Sequence, residues 1–234
     1  GGNGIYAGVN NDFNALLETG STSSSYSSRF YNCHYAINTD KMYKLGIVYN
    51  TIRSTHTSAN ISSATGSVGI VARTNRFSYA ISNNNIANVH TAINIVTSAN
   101  SYTGNSGSGF GIYAAQMDIL NNYIGSQTTT AAGTTTQYVS NAISISAPTG
   151  TAFAAVGSGF AINNNIIDRV YRGIEINSFS KSNFAASTNT NTIKLVNDNV
   201  FNAPQNAIRF TNNTVGTVRG NTLSAANTTN TLVS

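Results

Sequence analysis

The chain has 234 residues, with 12 Lys/Arg against 7 Asp/Glu and a formal charge of +5 at neutral pH. Asn, Ser and Thr supply 35, 28 and 29 residues, together 92, while 40% of the chain is apolar. There is enough apolar material for a core and too little charge for wholesale disorder; poor helix formers dominate, which excludes a helical bundle.

Other classes fall away as quickly. No apolar run approaches the roughly 20 residues of a membrane-spanning helix, so membrane insertion is not expected. A lone Cys33 excludes a disulfide framework and a Cys-based zinc site. The 12 Lys/Arg are spread along the chain rather than gathered among aromatics, which argues against a nucleic-acid partner. The chain opens at Gly1-Gly2-Asn3-Gly4 without a signal peptide or initiating Met. It reads as a piece of a larger protein with neighbouring domains, and its uncharged polar, Cys-poor composition suits an extracellular, secreted or cell-surface setting.

The first fifty residues concentrate tyrosines: Tyr6, Tyr26, Tyr31, Tyr35, Tyr43 and Tyr49. They read either as bulky plugs for the end of a core or as a surface facing glycan or protein. Tyr31, Tyr35, Tyr43 and Tyr49 are the binding candidates. Residues 12–17 read as a capped turn or short helix. Asp12, Asn14 and Glu18 lie close together but lack the glycine and further acids of a calcium loop.

From Ala36 onward a short pattern recurs, a small residue followed by Ile and an alternating partner. The copies are Ala36-Ile37, Gly69-Ile70, Ala92-Ile93, Gly111-Ile112, Ala142-Ile143, Gly173-Ile174 and Ala207-Ile208, with Ile-to-Ile intervals from 19 to 34 residues. Between them lies a second pattern, an apolar residue, polar residues, Asn and a β-branched residue. Its copies fall at 47–52, 83–86, 120–124, 162–166, 196–200 and 218–223. The sequence Gly-Ser-Gly-Phe follows Ala92 and Ala142 at the same distance, at 107–110 and 157–160. Ser/Thr/Gly-rich inserts at 98–109, 127–136 and 178–192 separate the copies.

In Gly173-Ile174-Glu175-Ile176 the two Ile share one strand face and Glu175 takes the other. So short a strand cannot bury that face alone. If successive copies stack, the Ile form internal ladders and the backbones pair about 4.8 Å apart. The reading is an all-β solenoid of about seven coils, one domain over 1–234. Residues 1–35 form an N-terminal cap or a preceding coil, and 224–234 an incomplete last coil. Asn84, Asn122, Asn164, Asp198 and Gly220 precede the repeated Asn and tolerate positive φ, with Tyr49 the exception. The next positions, Asn50, Asn85, Asn165, Asn199 and Asn221, are expected to stack as a side-chain ladder that Tyr123 interrupts.

Gly/Ala-Ile-x-Ile alternating with Asn-Asn-x-Ile, from about Ala36 to Leu223, resembles right-handed parallel β-helix proteins. The Asn/Thr/Ser-rich style is similar to large secreted and surface proteins of Bacteroidota-type bacteria. The resemblance implies the right-handed winding. It also implies a choice between functions: a non-catalytic structural or adhesive module that meets glycans or other surface proteins, or a polysaccharide lyase, glycoside hydrolase or tailspike-like glycan-degrading protein.

The acids bear on that choice. A glycosidase needs two carboxylates flanking one bond. Glu175 takes an outward slot whose equivalents hold Asn38, Asn94, Ser144 and Arg209, so a surface pair with Arg209 is expected. Asp168 stands beside Arg169 and Arg172 and is the other catalytic candidate. His34, His56 and His90 lack metal-ligand spacing, and Cys33 reads as a small buried residue. No catalytic residue, cofactor or metal is assigned.

Overall fold

Strand formation follows from the residue types. Ile, Val and Thr recur at every second position of short runs, where β-branched side chains pack well on a pleated surface. Asn and Gly punctuate the runs where the backbone must turn. The computed structural model describes residues 3–8, 16–20, 28–40, 42, 44–54, 67–73, 78–96, 116–125, 139–146, 159–177, 185–189, 192–195, 206–211, 216–224 and 231–233.

Strands follow one another in threes. β1 (Asn3–Gly8), β2 (Leu16–Gly20) and β3 (Arg29–Tyr31) are followed by β4 (Tyr35–Asp40), β5 (Lys44–Val48) and β6 (Thr51–Arg53). Next come β7 (Val68–Arg73), β8 (Ser78–Ser82) and β9 (Asn85–Ala87), then β10 (Thr91–Val96), β11 (Gln116–Leu120) and β12 (Tyr123–Gly125). β13 (Val139–Ser146) and β14 (Gly159–Asn163) lead into β15 (Ile166–Asn177), which closes one set of three and opens the next without a break. β16 (Ala185–Asn189), β17 (Thr192–Leu195), β18 (Asn206–Thr211), β19 (Gly216–Arg219), β20 (Thr222–Ser224) and β21 (Thr231–Val233) complete the series.

Every described pairing is parallel, and each strand pairs with its equivalent in the next set. First and third strands merge through β15 into a fourteen-stranded sheet, and second strands form a seven-stranded sheet. The protein is therefore all-β, with parallel strands wrapped about one apolar core. Residues 3–31 supply the first three strands, and 231–233 pair with β18. Among the described residues no helix is long and apolar enough to cross a membrane.

The register explains the sequence pattern. One inward row runs Ile37, Ile70, Ile93, Ile143, Ile174 and Ile208 across the first strands, each at most 1% exposed. A second runs Ile47, Ile81, Ile119 and Ile162 across the second strands. A third runs Phe30, Ile52, Ile86, Ile124, Ile167, Ile193 and Leu223 across the third strands. The middle five of that row are buried, and Phe30 and Leu223 pack against the same cluster.

The small residue before each first-strand Ile has a steric cause. A Cβ at Gly69 would lie 2.6 Å from the Ala92 carbonyl oxygen. One at Gly173 would run into the Ala207 carbonyl oxygen and lie 2.8 Å from Ile193 Cγ2. The backbone of the next first strand, together with the third-strand Ile of the same set, therefore crowds this position.

Three expectations change. Ile93 pairs directly with Ile143, so the copy at Gly111-Ile112, outside the described residues, has no place between them in that row. Gly159-Phe160 pairs with Gln116-Met117, so the repeated Gly-Ser-Gly-Phe is not a register repeat. Leu16 and Leu17 belong to β2 rather than to a turn or helix over 12–17, whose remaining residues lie outside the description.

Candidate functional site

The corner between second and third strands is built by backbone strain relieved with polar side chains. Positive φ occurs at Tyr49 (56°), Asn83 (57°), Asn121 (56°), Asn164 (55°) and Gly220 (62°). Tyr49 is thus a member of this slot and not its exception. Asn tolerates left-handed backbone better than most residues because its short side chain bonds locally.

The residues one step on form the ladder: Asn50, Asn84, Asn122 and Asn165, each at most 1% exposed. Asn84 Oδ1 accepts from the backbone N–H (2.9 Å) and Nδ2 (3.0 Å) of Asn50. Asn122 Oδ1 accepts the same pair from Asn84, and Asn165 Oδ1 the same pair from Asn122, all at 3.0 Å. Each Nδ2 also donates inward: Asn84 to Ile47 O (2.9 Å), Asn122 to Ile81 O (2.8 Å) and Asn165 to Ile119 O (2.8 Å). At the near end, Asn50 Nδ2 reaches the Thr19 carbonyl and hydroxyl oxygens, while Asn50 Oδ1 is buried with no partner among the described residues.

The expected ladder is therefore shifted by one residue in two sets. Asn85 is an outward residue of β9, and its place is taken by Asn84; Tyr123 interrupts nothing, because Asn122 holds the rung. Asn83-Asn84-Asn85 and Asn163-Asn164-Asn165 are alike in sequence but differ by one residue in register. The core Ile stands two after the ladder Asn, at Ile52, Ile86, Ile124 and Ile167, and that spacing would have fixed the register. Ile166, the β-branched residue that ends the 162–166 copy, is 52% exposed. Asn199 lies outside the described residues, and β17 places Ile193 beneath Ile167. Asn221 follows Gly220 and precedes Leu223 by two, the same spacing.

The acids are held singly. Glu175 Oε1 lies 3.3 Å from Arg209 Nη1 on the adjacent strand, the pair expected from sequence. Asp168 Oδ2 lies 2.9 Å from Arg169 Nε. The positions paired with Asp168 are Gly125 and Lys194, and those paired with Glu175 are Ser144 and Arg209. Asp40 likewise pairs with Gly8 and Arg73. None of these three has a carboxylate at a paired position on a neighbouring strand. Among the described residues no three His, Cys, Asp or Glu gather as a metal-ligand set.

The tyrosines separate. Tyr31 is 55% exposed on β3. Tyr35 is half-buried, edge-on to His34 at 4.4 Å between ring centroids, with the Arg73 guanidinium 5.9 Å over its ring. Tyr49 occupies the corner, and Tyr43 lies outside the described residues. Phe30, not a tyrosine, packs against the core near its first-set end. Cys33 is half-buried against the same cluster, its Sγ 3.7 Å from Tyr31 O.

The outward face of the third strands groups residues that the sequence reading left apart. Its two rows run Arg29, Thr51, Asn85, Tyr123, Ile166 and Tyr31, Arg53, Ala87, Gly125, Asp168. A Cβ added at Gly125 would meet the Tyr123 ring at 3.1–3.2 Å, so that ring leans along its own strand over the glycine. Arg53 Nε and Asn85 Oδ1 are buried with no hydrogen-bond partner among the described residues.

Comparison with protein-family models, with curated proteins and with solved structures finds no match.

Proposed function

We propose that the chain is a right-handed parallel β-helix serving as a non-catalytic structural or adhesive module of a secreted or cell-surface protein. The three-strand periodicity, uniformly parallel pairing and continuous Ile rows support the helical winding. Each set of three contributes one layer, and the layers stiffen one another through shared backbone bonds and the Asn ladder.

The observation that carries the non-catalytic reading is the treatment of Asp168 and Glu175. Each is engaged by an arginine at 2.9 and 3.3 Å, and neither has a second carboxylate on the strands beside it. Hydrolysis by the usual route requires two carboxyl groups about 5–9.5 Å apart across one bond. Acids each engaged by an arginine on its own do not stand together as donor and base across one bond.

The test is incubation of the protein with neutral and acidic polysaccharides, following reducing ends and the ultraviolet absorbance of unsaturated products. No release above a buffer control is expected. Release that Asp168→Asn or Glu175→Gln abolishes would replace this reading with a glycan-degrading one.

A further inference from the structure

We infer that the first set of strands, β1–β3, is a docking surface for the set β18–β20 of a second copy of this chain. This self-association is independent of the non-catalytic reading above. Among the described residues β1, β2 and β3 pair on one side only, with β4, β5 and β6, and β19 and β20 pair only with β16 and β17. The core is open at both ends along the first and third strands. Ile5 and Phe30 are half-buried, whereas Ile37 and Ile52, one set further in, are 0% and 1% exposed. Leu223 is half-buried over a fully buried Ile193. Unpaired strand edges beside half-exposed apolar rows are templates for further strands.

The pairing says what completes those edges. Every described pairing is parallel, so the occupant of β1–β3 must offer three strands of the same direction in the same winding order. β18–β20 of a second copy, placed head to tail, do so. Two like ends brought together wind in opposite senses and do not. Lengths agree as well: six residues in β1 and β18, five in β2 against four in β19, and three in β3 and β20. Extending the inward rows by one step sets Ile208 beside Ile5, Phe210 beside Ala7 and Leu223 beside Phe30. The bulky Phe210 thus meets a small residue. On the outward side Tyr6, 62% exposed, comes beside Arg209, Arg29 beside Thr222 and Tyr31 beside Ser224, so no charge faces a like charge. A guanidinium over an exposed tyrosine ring adds a favourable contact.

β21 stands in the way. It occupies the edge of β18 that β1 of the second copy needs, but it pairs only from Asn206 to Ile208, and Phe210 beyond it stays half-buried. β1 pairs with β4 over that strand's full length, from Tyr35 to Asp40, and the same reach along β18 covers Phe210 and ends at Thr211. A three-residue strand therefore guards the far end and yields to a six-residue one. The two docking surfaces differ, so the contact is heterologous and does not close on itself; copies add in line.

The test is sedimentation velocity of the full chain over a wide concentration range. Concentration-dependent growth in steps of one copy is expected. Thr231→Pro/Val233→Pro, which strips β21 of backbone donors, is expected to tighten association at least about tenfold by freeing the β18 edge. Phe30→Lys and Leu223→Lys, each with unchanged circular dichroism, are expected to be monomeric alone. Mixed together they are expected to form a dimer that grows no further, because one live surface remains on each. Association no tighter in the double-proline variant overturns the displacement of β21. Monomer at every concentration in both the parent and that variant, oligomers of Phe30→Lys alone, or a mixture that grows past the dimer or fails to form one overturns the head-to-tail contact. None of these results bears on polysaccharide cleavage, so the two readings fail separately.

Discussion

A buried asparagine amide is costly unless both its ends are used, because each unmade hydrogen bond in the interior forfeits about 1–3 kcal/mol. Asn84 and Asn122 meet this demand: each Oδ1 takes two N–H donors from the preceding set, and each Nδ2 serves the next ladder oxygen and a core-strand carbonyl. Asn85 stands next to Asn84 in sequence, yet its Oδ1 has no partner among the described residues. The two neighbours should respond oppositely to truncation. Asn84→Ala is expected to lower stability by about 2–4 kcal/mol, and Asn85→Ala to change it by no more than about 0.5 kcal/mol, read from denaturant midpoints at constant m-value. Equal losses at both positions would show that the ladder register is wrong. The corner's residue type was legible in the sequence, since Asn is suited to left-handed backbone. Which Asn turns and which stacks was not, because three consecutive asparagines offer two equally polar alignments. Only the buried Ile two positions on distinguishes them.

At the scale of an element, β15 is the informative strand. It runs through a bend at Arg169 (φ 54°), where the register to β17 shifts between Asp168 and Val170. It thereby joins the inward Ile167 of one row to the inward Ile174 of another. Gly173 lies between them, where the neighbouring Ala207 carbonyl and Ile193 side chain leave no room for a methyl group. Ala142 and Ala207 carry that methyl at the equivalent positions of their own strands, so the crowding varies from set to set. Gly173→Ala should therefore cost at least about 1–3 kcal/mol, although alanine is ordinarily better than glycine in a strand. Ala142→Gly should cost less than about 1.5 kcal/mol, mainly through backbone entropy. Thermal melts of the two variants measure the difference, and a neutral or stabilising Gly173→Ala would contradict the close approach. The small-residue-then-Ile motif was readable as a strand start; its steric cause lies in a strand from elsewhere in the chain.

Over the whole molecule, contacts run mainly between adjacent sets of strands, so stability should behave as a chain of nearest-neighbour terms. The Ile rows could be anticipated because their period is local to each strand. The outward patch of Arg29, Tyr31, Arg53, Asn85 and Tyr123 could not, because it draws on four strands separated by inserts of unequal length. Nearest-neighbour behaviour predicts a definite pattern of coupling. Asn84 and Asn122 share two hydrogen bonds, so removing the second amide after the first loses fewer bonds than removing it alone. Asn84→Ala and Asn122→Ala together should fall short of the sum of the single effects by about 0.5–3 kcal/mol. Asn84→Ala combined with Ile208→Val has no shared partner, because Ile208 packs in a row four sets further on. Those two should add to within about 0.5 kcal/mol. Denaturant unfolding of the three single and two double variants decides between the two patterns. Additivity of the adjacent asparagines would mean that the amides act separately, each with its own carbonyl, and that the ladder transmits nothing from one set to the next.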